Sequence, residues 1–174
     1  MKKNAKKTSA LPEKLTAAYL AAILGVYPIF IGTGGYIEIT VQKWYCYLIL
    51  TGIYMIVMLF LPLELALTGE NSLASPRTLW QHMTAPQKLI LLYWLFSGVS
   101  ALLSIDKSIA FWGTGRCEGF LAITLYCGSF LFVSSCAKPK RWMLWVFAIA
   151  MSLCCILSVI QLAGNNPLRL YPDG

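Results

Sequence analysis

The spacing of charged residues constrains this chain more than any other feature. No residue charged at neutral pH lies between Lys14 and Glu38, Lys43 and Glu64, Lys88 and Asp106, or Glu118 and Lys138. None follows Arg141 until Arg169. A charge in hydrocarbon is expensive, and a crossing helix needs roughly 17–25 predominantly apolar residues. The gaps therefore predict helices near residues 15–32, 44–63, 89–105, 120–135 and 142–163. The expected fold is all-α, a polytopic transmembrane helical bundle of about five spans. It would be flanked by a basic tail at 1–14 and a further segment at 164–174.

Composition excludes the main alternatives. Apolar and aromatic residues make up 58% of the chain and charged residues 12%, with a mean hydropathy of +0.67. A soluble domain carries about 25% charged residues, so too few are present here to cover a water-facing surface. The net charge of +7 could suggest nucleic acid, but that function needs basic residues gathered on one face. Here they punctuate apolar runs, so membrane lipid is the expected partner and nucleic acid is not.

Lysine and arginine also predict the orientation. With the N-terminus inside, the inner segments hold Lys2, Lys3, Lys6, Lys7, Lys14, Arg77, Lys88, Lys138, Lys140 and Arg141. Only Lys43, Lys107, Arg116 and Arg169 then lie outside, as positive-inside sorting favours. The N-terminal lysines would anchor this topology on anionic headgroups. The first apolar run exceeds the 7–15 residues of a signal-peptide core, and no small-x-small cleavage site follows it. It reads as a retained helix.

Local signals agree with helices. Thr84-Ala85-Pro86-Gln87 has capping-box spacing before the third run, with Pro86 in the first turn. Pro28 should kink the first helix, because its ring removes a backbone donor. Trp44, Trp142 and Trp145 fall near predicted interfaces. The pairs Ser97/Ala101 and Ala148/Ser152 offer small surfaces for close helix packing.

Soluble-enzyme chemistry finds little support. Cys46, Cys127, Cys136, Cys154 and Cys155 read as small apolar residues. Without a CxxC pair or a histidine cluster, no metal or cofactor is expected. Cys117 differs only in lying outside, beside Arg116. Gly113-Thr114-Gly115 misses phosphate-loop spacing, since the next glycine is Gly119. His82, the one histidine, reads as a solvated loop residue. Glu64 reads as a helix-end carboxylate reaching the interface.

The outer segment 104–119 carries more information. Ile105, Ile109, Phe111 and Trp112 can lie in the headgroup layer, with Gly113 and Gly115 turning the chain back. Arg116 is then held near lipid headgroups, where its planar fork suits phosphate, and Glu118 is close enough to orient it. The structural alternative is an interfacial turn whose Arg116–Glu118 pair faces water.

This segment resembles the loop between the third and fourth helices of bacterial O-antigen ligase-family proteins. The resemblance rests on Ser104, Asp106, Phe111-Trp112-Gly113, Gly115-Arg116 and Glu118-Gly119. The stretch Gly164-Asn165-Asn166-Pro167-Leu168-Arg169-Leu170-Tyr171-Pro172 is similar to the one after that family's fifth helix. The resemblance implies a cell-envelope glycosyltransferase in the bacterial cytoplasmic membrane. Such an enzyme moves a glycan from an undecaprenyl-pyrophosphate carrier to an acceptor on the membrane's outer face. Arginines would neutralise the leaving phosphates and a histidine would deprotonate the acceptor. It implies Arg116 as a pyrophosphate ligand and no catalytic residue in this part. Arg169 is a secondary pyrophosphate candidate by its predicted outer side and its place beside the family-like tail, and Glu118 is the orienting candidate by its nearness to Arg116. Family members carry about ten or more helices, with the outer histidine loop in the C-terminal half. The expectation is therefore an N-terminal part of such an enzyme, inactive alone, partnered by a C-terminal half or another subunit. The competing expectation is a small non-enzymatic membrane subunit, a transporter component or assembly factor.

Overall fold

The computed structural model describes residues 10–32, 38–67, 80–115 and 117–163, the side chains of 10 and 62–67 excepted. The described residues are helical and contain no strand. Helix α1 (Ala10–Ala21) runs through a π-helical stretch (Ala22–Val26) into α2 (Tyr27–Ile29), forming one rod. The later elements are α3 (Ile39–Leu67), α4 (Ala85–Leu103), α5 (Lys107–Trp112), α6 (Phe120–Cys136) and α7 (Arg141–Leu162).

Three helices are long and apolar enough to cross a membrane: Ile39–Leu61 within α3, Ala85–Leu103 and Arg141–Leu162. Helix α6 is apolar but shorter, at 17 residues. The gaps between charges thus locate the helices well. α3 nevertheless begins at Ile39 rather than near 44 and continues to Leu67. Charged residues at a helix end do not stop it, because backbone groups entering lipid must already be paired.

The kink expected at Pro28 takes another form. An α-helix would press the Pro28 ring against the carbonyl of Leu24, four residues back. Instead the turn before it widens, and the Tyr27 N–H donates to Ala22 O, five residues back. A single π turn of this kind relieves a local conflict without ending the helix. The Pro28 carbonyl then accepts from Lys43 Nζ at 3.1 Å and Cys154 Sγ at 3.7 Å.

Side-chain contacts fix how neighbouring helices run. The first rod and α3 are antiparallel: Thr16 Oγ1 meets Tyr54 OH at 2.9 Å, and Tyr19 OH meets Thr51 Oγ1 at 3.1 Å. The Tyr19 and Tyr54 rings stack between these bonds, 4.1 Å apart and 4° from parallel. Each helix contributes a Thr and a Tyr three residues apart, which places them on one face. All four side chains are buried, so each hydroxyl supplies the partner the other needs. Helix α6 lies along the same side of α3, where Trp44 is buried against Ala122 and Leu125. Trp44, expected at a lipid interface, therefore packs inside the protein, while Trp145 is exposed.

Helices α4 and α6 are also antiparallel. Trp94 Nε1 donates to Thr124 Oγ1 at 3.0 Å, and Gln87 Nε2 donates to Ser134 and Ser135 Oγ at 2.9 and 3.0 Å. The same Gln87 accepts from the Thr84 N–H through Oε1 at 2.9 Å. The capping residue expected from the sequence thus also ties the start of α4 to the end of α6. The close approach expected at Ser97/Ala101 centres on Gly98, where an added Cβ would lie 3.1 Å from Phe120. On α7 the small residue packed inward is Ala150, not the exposed Ala148 and Ser152. Val146, Ala150 and Cys154 share a face at four-residue spacing; Val146 opposes Gly25, and Cys154 reaches Pro28.

One ionic clasp joins distant ends. Glu13 accepts from Lys138 Nζ at 2.6 Å and from Lys140 Nζ at 3.0 Å. Those hydrogen bonds hold its carboxyl below the ordinary carboxylate range. A depressed folded pKa adds stability above the unfolded value of about 4.3. That stability is lost as pH falls through the lower folded value. Helix-end contacts between residues 13 and 138–140, read by cysteine crosslinking, should persist at pH 7 and weaken at low pH. Glu13→Gln should weaken them at both, leaving a flat pH profile. A pH response that survives this substitution would assign the titration elsewhere.

Candidate functional site

The segment joining α4 to α6 is built from short-range rules. α4 ends at Ser104, whose backbone is extended, and Ile105 projects fully exposed. Asp106 then caps α5, its Oδ1 accepting from the Ile109 N–H at 3.1 Å. An aspartate here satisfies one of the donors that a helix start leaves unpaired. α5 presents Ile109, Phe111 and Trp112, all substantially exposed. The Phe111 and Trp112 rings meet edge to face at 5.3 Å.

The turn after α5 depends on glycine. Gly113 has φ 80° and ψ 168°, and its N–H donates to Ile109 O at 2.8 Å. That combination is essentially reserved for glycine. Gly115 and Cys117 also have positive φ, at 65° and 57°. The chain then passes back over itself. A Cβ on Gly113 would lie 2.6 Å from Glu118 N, and one on Gly119 would collide with the Phe111 carbonyl. Gly113 and Gly119 thus form a backbone crossing that closes the turn. The positive-φ turn expected from Gly113 and Gly115 is present. The left-handed Cys117 carried no signal in the sequence, since a cysteine there is unusual.

Glu118 stands at the mouth of a cleft of about 440 Å³ between α4 and α6. Ser97, Ser100 and Ser104 line the cleft from α4, with Tyr93 and Phe120. The serines follow i, i+3, i+7 spacing, which marks one helix face; that spacing was the available signal for a polar strip. The cleft therefore pairs one exposed carboxylate with a row of hydroxyls, beside apolar walls. Such a set can accept and donate hydrogen bonds to a polyhydroxylated ligand.

Among the residues proposed from sequence, Glu118 is described, and Arg116 and Arg169 lie outside the described residues. The side chain of Glu64 lies outside them as well. His82 is exposed near the start of α4, at the opposite end from Glu118. All six cysteines are free thiols. Among the described residues, no three ligating side chains gather as a metal site would require.

Comparison with known proteins adds no neighbour: no family model, curated protein or solved structure matches this chain.

Proposed function

We propose that this chain forms the carrier-binding part of an O-antigen-ligase-like glycosyltransferase in the bacterial cytoplasmic membrane. In this reading it crosses five times, with the N-terminus inside and the α4–α6 turn outside. The alternating helix directions support that topology. So does the Glu13 clasp, which draws Lys138 and Lys140 to the same end as the basic N-terminal segment.

The single observation that carries the functional reading is the glycine crossing. Gly113 and Gly119 bring together the two ends of a short turn containing Arg116, and Glu118 stands beside a hydroxyl-lined cleft. Arg116 supplies a bidentate ligand for the carrier pyrophosphate, and Arg169 a second. The serines and Glu118 meet the first sugar. Departure of the glycan needs no nucleotide, because its bond to pyrophosphate is already activated, and the arginines stabilise the charge that develops on the leaving pyrophosphate. The base that activates the acceptor comes from another segment or subunit, since His82 is at the far end of α4.

Binding of undecaprenyl pyrophosphate to the full chain in phosphatidylcholine nanodiscs tests this. Arg116→Ala should weaken it at least about tenfold, the effect of losing one charge-assisted bond. Arg169→Ala should weaken it less. Binding indifferent to both arginines would remove the ligase-like reading. It would favour a non-enzymatic membrane subunit instead.

A further inference from the structure

On the other side of the α4–α6 crossing lies a second hollow, of about 570 Å³. Its walls are Trp94, Val99, Leu102, Phe111 and Phe120, and Lys107 stands with them as the one charged lining residue among the described residues. The volume is within the ~300–1,000 Å³ typical of small-molecule sites. Its shape differs from that of a water-facing pocket. Leu95, Val99 and Leu102 along the open side are exposed by 49%, 54% and 73%, on a helix apolar enough to lie in lipid. The hollow therefore opens sideways, toward hydrocarbon, where a lipid chain can enter it.

The charge at the rim narrows the class. Lys107 makes no ion pair among the described residues. The neighbouring Asp106 carboxylate is engaged by the Ile109 N–H. Among the described residues, no arginine lines the hollow. One ammonium on a flexible stem is a point charge that matches a single negative charge. A pyrophosphate would leave additional charge uncompensated there.

We propose that this furrow between α4, α5 and α6 holds one acyl chain of an anionic phospholipid, with its phosphodiester on Lys107. The bound lipid fills the space beneath α5 and supports the short helix from below. Ala101 and Phe120, which line both hollows, stand between this lipid and the Glu118 cleft. This proposal does not rest on the arginine-dependent carrier reading.

The test uses the full chain in nanodiscs containing equal phosphatidylglycerol and phosphatidylcholine, followed by native mass spectrometry of retained lipid. Retained phosphatidylglycerol should exceed phosphatidylcholine by about fivefold, the preference one lysine near a surface confers. Lys107→Gln should bring the two to parity while leaving helical content by circular dichroism unchanged. Val99→Trp, which fills the furrow from its exposed side, should reduce retention of both lipids. Arg116→Ala should change neither, which separates this site from the carrier reading. Equal retention of the two lipids by the unsubstituted chain would overturn the proposal. So would a preference that survives Lys107→Gln, or displacement of phosphatidylglycerol by equimolar undecaprenyl phosphate.

Discussion

Gly113→Ala is expected to destabilise the protein by about 3–4 kcal/mol, combining steric overpacking with a backbone conformation that alanine resists. The two contributions have separate origins. The added methyl would sit 2.6–2.8 Å from backbone atoms of Cys117, Glu118 and Gly119, none of which can rotate away. Independently, φ 80° with ψ 168° lies where a Cβ crowds the carbonyl of the preceding residue. Gly115→Ala provides the comparison. Its φ is also positive, yet an added Cβ would meet nothing within 4 Å. Only the left-handed penalty of about 1–2 kcal/mol applies there. Unfolding in bicelles followed by steric trapping would measure both. Equal losses at the two glycines would mean that the crossing does not close the turn.

The second large effect is expected at Tyr19. Replacing it with alanine removes the ring stacked on Tyr54 and the partner of Thr51. In water such a truncation includes the transfer of the lost ring. Within a bilayer the separated helices remain in an apolar solvent, so the void and lost packing dominate. A loss of about 2–3 kcal/mol follows, toward the lower end for large-to-small changes. Tyr19→Phe keeps the stack and removes only the hydrogen bond to Thr51. Its expected loss is only about 0.6 kcal/mol, the average for an interhelical bond in lipid. Were the two substitutions equally damaging, the hydroxyl pairing rather than the stacked rings would hold the first rod to α3.

These two sites differ in how visible they are in the sequence. The glycines around Arg116 could be read in advance because a turn that reverses within a few residues requires positive φ. The crossing between Gly113 and Gly119 could not, since it depends on which backbone segments meet. The Thr16–Tyr19 and Thr51–Tyr54 pairs have no special spacing beyond a shared helix face. They become a unit only when antiparallel packing brings the two faces together. Glu13 illustrates the same limit: it was absorbed into a basic tail, although its partners are more than a hundred positions along the chain. Charge gaps, by contrast, located the helices because exclusion of charge from hydrocarbon acts on each segment alone. The serine strip beside Glu118 stood between these cases, periodic enough to notice but meaningful only once α6 lay across from it.

The contacts of the first rod also have a consequence for biogenesis. Both of its ends are joined to late-made parts of the chain: Glu13 to Lys138, 125 positions on, and Pro28 to Cys154, 126 positions on. At about 5–20 residues per second, the ribosome needs roughly 6–25 s to make the intervening chain. During that interval the rod can pair with α3, but its opposite face has only lipid or the insertion machinery for company. Arrival of α7 completes its surroundings, so final docking is a late event in membrane insertion rather than a step-by-step closing of hairpins.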